Sequence, residues 1–289
     1  MDSSKNSAVA AAVAAGTLMG TLGFFVRESA CSAPLCAFVR FAVGLLLLFP
    51  LLLRGCMGGR DFRFSWMSAI SGAGISLCIL FYFMALKLIP VGVAAMLVYA
   101  GPVLAAAAEA VWNRRCPGVR DAVPMLLSLF GLLAVACFAE GADHGQELNH
   151  AGLLYSVLSA LSYSVYLLLN SRIPQEVTLG RRTFWQFVAG CIILALPLTI
   201  GSGEWQGMGG GWPYLLIIGV CHGLLVMVLI AYAARHLSAI QYGTFAYLEP
   251  TVAVLLGYLV YAEQMTAGQW CGFALVVAAA CTQALLARS

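Results

Sequence analysis

Lysine is almost absent from this chain of 289 residues, which holds only Lys5 and Lys87. Charged residues of all kinds make up 9% of it, where soluble domains carry about 25%. That shortage excludes an ordinary water-soluble domain, and no hydrophilic stretch is long enough to form one beside the rest. Both lysines fall outside the apolar runs, so a basic cluster for phosphorylated solutes such as nucleotide sugars or triose phosphates is missing. The ten cysteines show no C-x-x-C spacing, which leaves neither a zinc site nor a redox pair indicated. Cys31 and Cys36 are expected near the outer surface, where they could be oxidised together, but small apolar packing residues are the commoner reading. H-E-x-x-H and G-x-S-x-G are lacking as well, so the chain is not expected to be an enzyme, and no catalytic residue, cofactor or metal is expected.

What the chain has instead is apolar sequence, 62% of the total, with a mean hydropathy of +0.93. Ten runs are long enough to cross a bilayer core of about 30 Å: 8–26, 34–53, 65–86, 91–112, 120–139, 151–171, 183–200, 212–234, 238–260 and 267–287. The first run, with Lys5 as a thin basic flank, reads as a span and not as a secretory signal. With both termini cytoplasmic, twelve basic residues from Lys5 to Arg288 fall inside, Arg27 and Lys87 fall outside, and Arg40 lies within a span. That asymmetry is what the positive-inside rule asks of ten spans in a cell (inner) membrane. The expected fold is therefore an all-α polytopic membrane protein, multi-pass, in contact with the lipid bilayer and without a nucleic-acid partner.

Small residues punctuate the first span at Gly16, Gly20 and Gly23, where close helix packing is the expected role. Pro34 opens the second span, a position that tolerates its missing N–H. Arg40, about two turns further on, can snorkel outward, pair with an acid or line a pathway; a structural role is the commonest of these. Trp66, Trp112, Trp185, Trp212 and Trp270 fall at span ends, as interfacial aromatic anchors do. The segment Glu140 to His150 carries three acids and no Lys or Arg, which fits an outer loop; His144 and His150 have no companion ligands there.

A shift of 148 residues superposes Ala85 on Ala233, Lys87 on Arg235, Tyr99 on Tyr247 and Pro102 on Pro250. Each half then holds five spans, 1–139 and 151–289, joined by the outer loop 140–150. Because five is odd, equivalent helices cross in opposite directions, so the ten helices form two inverted five-helix repeats. Such repeats serve alternating access, with interrupted helices meeting near the midplane. Tyr99-Ala-Gly101-Pro102 and Tyr247-Leu-Glu249-Pro250 are the expected pair of helix breaks. A carboxylate at the bilayer centre costs about 2.5–3.5 kcal/mol on the gentlest scale, so Glu249 is expected to face a cavity, a partner or a substrate. Helical spacing places Tyr242, Phe245, Ala246, Val252 and Ala253 on roughly its face. An acid among aromatic rings suits an ammonium group; the competing reading is a structural acid bonded to a hydroxyl or to backbone freed by Pro250.

Pro34-Leu-Cys-Ala-Phe-Val-Arg40, Ala85 through Ala95 leading to Pro102, and Pro250 through Ala262-Glu263-Gln264 to Gly272 resemble the drug/metabolite transporter superfamily, in particular its EamA-like members. The likeness covers nearly the whole chain. It implies secondary transport of small metabolites through a central cavity lined by spans one, three, four, six, eight and nine. On those spans the candidate substrate-binding residues are Glu249, Tyr99, Tyr242, Phe245, Tyr82, Tyr163, Tyr166 and His222. A lone His222 is as readily a satisfied core histidine as a proton carrier. The family often has an acid where Arg115 stands opposite Glu263, a departure from strict equivalence of the halves. The glutamate before Pro250, which only some members show, points to amine-bearing substrates. The resemblance thus implies a secondary active transporter of an amino acid, amine or related solute by alternating access, expected to export it, with a proton or another ion, exchanged at Glu249, as coupling partner. Uptake of a quaternary amine such as choline is the alternative; a membrane-embedded enzyme or a channel is the alternative of another class.

Overall fold

The computed structural model describes residues 2–58, 61–89, 94, 97–98, 100–113, 118, 122–123, 126–127, 129–131, 133–134, 149–200, 205, 208–237, 242, 245, 248–261 and 267–288. Among them every regular element is helical. Their order is α1 (Asp2–Gly20), α2 (Leu22–Glu28), α3 (Ala33–Leu53), α4 (Trp66–Leu86), α5 (Ala100–Asn113), α6 (His150–Ser171), α7 (Leu179–Ile200), α8 (Met208–Ile217), a π-helical segment (Ile218–Leu225), α9 (Val226–His236), α10 (Leu248–Tyr261) and α11 (Ala267–Arg288).

Six runs of described helix are long and apolar enough to cross a membrane: Lys5–Glu28, Ala33–Leu53, Trp66–Leu86, His150–Ser171, Leu179–Ile200 and Gly209–Ala233. They coincide with six of the ten runs read from hydropathy. The fifth run, 120–139, and the loop 140–150 lie for the most part outside the described residues, so six is the number established here. Two details differ from the sequence reading. The first span is interrupted at Thr21, whose hydroxyl donates to the Leu18 carbonyl at 2.7 Å. The eighth contains the widened π-helical turn, which no hydropathy pattern encodes.

Local signals account for several helix starts. Ser32 caps α3 by accepting from the Leu35 N–H at 3.2 Å, with Pro34 in the first turn as the sequence suggested. Asn149 caps α6 by accepting from the Ala151 and Gly152 N–H groups at 2.9 and 3.4 Å. Cys31 and Cys36 are both buried free thiols, and Cys36 Sγ lies 3.4 Å from the Ser29 hydroxyl.

In a bilayer the tails are as apolar as the helices, so association depends on close packing and on polar contacts between helices. α4 packs most extensively against α6 and α7. The Ser159 hydroxyl on α6 donates to the Cys78 carbonyl of α4 at 2.7 Å. Gln186 on α7 donates to Ser71 of α4 at 3.1 Å and to Asn170 of α6 at 3.0 Å, tying three helices through one buried amide. A Cβ on Gly74 would lie 3.2 Å from the Tyr166 backbone nitrogen, so glycine there lets α6 approach.

Contacts at the two ends of the bundle fix the direction of each helix. One end is basic. There Arg181, in the first turn of α7, pairs with Asp61 at 3.2 Å and donates to the Arg63 carbonyl at 2.7 Å, while the Arg172 guanidinium after α6 stacks 4.3 Å from the Trp112 ring centre. At the other end Lys87, after α4, donates to the Cys31 carbonyl before α3 at 3.0 Å. Gly152 of α6 lies against Leu88 and Ile89 there, and Gly211 of α8 against Ser29 and Cys31. Hence α3 and α6 run toward the basic end, α4 and α7 run away from it, α8 starts at the far end, and the α1–α2 run finishes there. Trp66, Trp112, Trp212 and Trp270 are exposed near helix ends and Trp185 is half-buried, donating to the Arg63 carbonyl at 2.9 Å; their positions match interfacial anchoring.

Candidate functional site

Between α1, α3, α4, α6, α9 and α10 lies a cavity of about 50 Å³. Its wall is largely aliphatic, with Met19, Ile75, Ile79, Met227 and Ile230 among the lining residues. Polar groups converge on it from four helices: Arg40 of α3, Tyr82 of α4, Tyr163 and Tyr166 of α6, and Glu249 in the first turn of α10; Tyr242 adds another. An apolar recess with a few convergent polar groups is the usual form of a small-molecule site.

Small residues put α10 in place. A Cβ on Gly16 would lie 2.8 Å from the Phe245 carbonyl oxygen, and one on Gly20 would lie 2.7 Å from the Glu249 carbonyl oxygen and run into Val252. The glycine face of α1 is therefore the surface on which the Glu249 backbone rests. On α6 the Tyr163 and Tyr166 rings, also lining the cavity, stack nearly parallel, 9° apart with centres at 6.1 Å. The Ser164 hydroxyl between them donates to the Gly101 carbonyl of α5 at 2.8 Å, and a Cβ on Gly101 would lie 3.0 Å from the Tyr163 ring. Gly101 thus serves as space beside an aromatic wall.

Of the residues singled out from sequence, Glu249, Tyr82, Tyr163, Tyr166 and Tyr242 come together around this cavity. Phe245 and His222 do not line it. Phe245, just before α10, is buried, with its carbonyl oxygen against Gly16 of α1, while Leu248 and Val252 of α10 pack on Gly16 and Gly20. His222 sits in the π-helical segment with Nε2 3.0 Å from the Leu18 carbonyl and 3.0 Å from the Thr21 hydroxyl. A carbonyl can only accept, so Nε2 carries the proton, and the ring bridges the α1–α2 interruption to the π turn as a packing histidine. Tyr99 lies outside the described residues. Pro102 and Pro250 are each the third residue of a described helix, where a missing N–H is tolerated; residues 99 and 246–247, which would define a break at each, lie outside the described set.

Arg40 is the residue whose place sequence reasoning missed. It is 1% exposed. Its Nε donates to the His222 carbonyl at 3.0 Å, Nη2 approaches the Met19 sulfur at 3.2 Å, and Nη1 has no hydrogen-bond partner among the described residues. Glu249 lines the same cavity. Gly223 lets α3 approach this closely, since a Cβ there would collide with the Arg40 carbonyl. The signal that could have found Arg40 is the one that found Glu249, an ionisable group deep in an apolar span.

The sequence profile of the EamA-like transporter family matches this chain twice, over residues 6–137 and 150–283. The chain belongs to the EamA-like transporter family. An uncharacterized transporter of Archaeoglobus fulgidus is 27% identical over 93% of this chain and 93% of its own length. The uncharacterized transporter YojE of Bacillus subtilis is 29% identical over 43% of this chain and 42% of its own. A crystal structure with 21% identity superposes with a TM-score of 0.78 over 98% of both chains, which shows a common fold. Together with the apolar helices, these likenesses make the chain a multi-pass membrane transporter, with the lipid bilayer around it and a small molecule as its cargo.

Proposed function

We propose that this EamA-like protein is a secondary active transporter that exports a small amino-group-bearing metabolite by alternating access, with Glu249 holding the ammonium group or exchanging it for a coupling proton. The observation that carries the reading is the meeting of Glu249 with Tyr82, Tyr163, Tyr166 and Tyr242 around one internal cavity. A carboxylate offers charge pairing, and each ring face adds about 0.5–2 kcal/mol of cation–π attraction. A buried acid beside a closed recess suits occlusion better than continuous conduction.

Two inverted five-helix repeats are the architecture this mechanism uses, and helix directions support them. The 148-residue shift pairs the α1–α2 run with α6, α3 with α7, and α4 with the run starting at α8. Each pair is antiparallel by the end contacts described above. The two family matches, 6–137 and 150–283, divide the chain at the same place. The gathering of Arg54, Arg63, Arg172 and Arg181 near one end supports cytoplasmic termini in a cell membrane.

The test is counterflow in proteoliposomes. A carrier gives saturable uptake stimulated by solute on the opposite side, which neither a channel nor an enzyme gives. Glu249→Gln keeps the shape and removes the charge; a charge-assisted contact of about 1.5–3 kcal/mol implies a loss of about 10- to 100-fold in transport. The variant should remain folded, with a melting point lowered because the buried Arg40 loses a compensating charge. Wild-type flux in this variant would refute the assignment.

A further inference from the structure

We infer that the first two turns of α7 are the gate on the basic side of the bundle, with the Gln186 amide as its inner layer and the Arg181 guanidinium as its outer one. The inference rests on the alternating-access reading and names the contacts that must part before the basic face can reach the cavity.

Position argues first. α4 runs away from the basic end and α6 runs toward it, so Ser71 and Asn170 each lie about one helical turn nearer that end than the cavity-lining Ile75 and Tyr166. Gln186 Nε2 donates to both, to Ser71 Oγ at 3.1 Å and to Asn170 Oδ1 at 3.0 Å, and all three side chains are buried. A Cβ on Gly72 would run into the Gln186 backbone, so glycine there brings α4 close enough for the amide to reach across. Gln186 therefore bars the space between α4 and α6 just beyond the cavity. Nearer the start of the same helix, Arg181 holds the connection between α3 and α4: it pairs with Asp61 at 3.2 Å and donates to the Arg63 and Phe64 carbonyls at 2.7 and 3.0 Å. Trp185 donates to the Arg63 carbonyl at 2.9 Å, and its ring meets Phe64 edge-on with centres at 4.8 Å. One helix start thus fastens α4, α6 and the α3–α4 connection together.

Chemistry argues next. A neutral hydrogen bond is exchanged for bonds to water at small net cost, so a polar layer can part when water enters behind it. An apolar layer that parts exposes hydrocarbon instead. The 148-residue shift carries Gln186, Ser71 and Asn170 onto Phe38, Gly219 and Leu22, and it carries Arg181 and Asp61 onto Ala33 and Gly209. The repeat-related places on the far side therefore hold none of these side-chain donors and acceptors. The two faces are closed by unlike contacts, and the layer that water can replace belongs to the basic one.

The experiment uses the full-length protein in sealed proteoliposomes, with the native Cys78 thiol of the cavity wall as reporter. A charged, membrane-impermeant maleimide is added to one face at a time, and modification of Cys78 is followed on its own peptide by mass spectrometry. Gln186→Ala should speed labelling from the basic face about 5- to 10-fold, the factor that its two hydrogen bonds between membrane helices supply, without speeding it from the far face. Arg181→Gln, at a half-exposed position, should do the same by about 2- to 5-fold, and it carries the test if Gln186→Ala does not fold. Joining cysteines in the double variant Asp61→Cys, Arg181→Cys with a short, reducible dithiol-reactive linker should stop labelling from the basic face, and reduction should restore it. Basic-face labelling that continues in the linked protein overturns the gate, and so do unchanged rates in both single variants or an equal rise from both faces, the mark of a loosened bundle. A Cys78 that reacts from one face or none, in the wild type and in every variant, would instead sink alternating access itself.

Discussion

Gly20 should be the position where a small addition to α1 does most harm to a site it does not line. A Cβ there would lie 2.7 Å from the Glu249 carbonyl oxygen and closer still to Val252 Cβ, so the obstruction includes backbone that cannot rotate away. Gly23, one turn on, has nothing within 4 Å of its own Cβ position. Valine at either site carries a similar propensity change, so the difference between Gly20→Val and Gly23→Val isolates packing. Overpacking of this kind costs about 1–3 kcal/mol. At about 2–4 °C per kcal/mol, Gly20→Val should melt about 2–12 °C below Gly23→Val in detergent. Because α10 can relieve the clash only by moving the Glu249 backbone, transport should fall at least about tenfold, in keeping with the sensitivity of positioned groups to shifts of about 1 Å. Gly23→Val should transport like the wild type. If the two variants melt and transport alike, α10 does not rest on the glycine face of α1, and the geometry assigned to Glu249 is wrong.

Tyr242→Ala should weaken solute binding by more than Phe83→Ala, a comparably buried ring that does not line the cavity, although both should lower the melting midpoint; binding isotherms for the two variants decide it, and equal losses would mark general packing damage. Ser159→Ala removes the 2.7 Å contact from α6 to the Cys78 carbonyl and should cost about 0.6 kcal/mol and at most about 1.7 kcal/mol, the range for hydrogen bonds between membrane helices. Unfolding measurements on that variant test it, and a much larger loss would mean that the hydroxyl supports more than one helix contact.

Much of this was legible in the order of residues. Six of the hydropathy runs became helices of matching extent, because the bilayer leaves backbone groups no partner but each other. Pro34 marked the start of α3, since only a first turn tolerates its missing donor. Glu249 stood out as a candidate because a charge in an apolar run costs too much to be idle. The tyrosines Tyr82, Tyr163, Tyr166 and Tyr242 came from the family resemblance and from helical spacing around that acid.

Tertiary structure decided which faces met. Helical spacing put Phe245 beside Tyr242 and Glu249, but in the folded chain it is buried without lining the cavity those two share. His222 looked like a polar group on a cavity span until Leu18 and Thr21, about two hundred positions away, took its Nε2–H. Arg40 carried the same warning as Glu249 and was assigned to structure, because nothing local reveals that α3 comes close enough for its guanidinium to share a recess with α10. Composition and periodicity fix what each segment must bury. Which buried charge faces which is a property of contacts between segments far apart in the chain, and only the folded bundle brings them together.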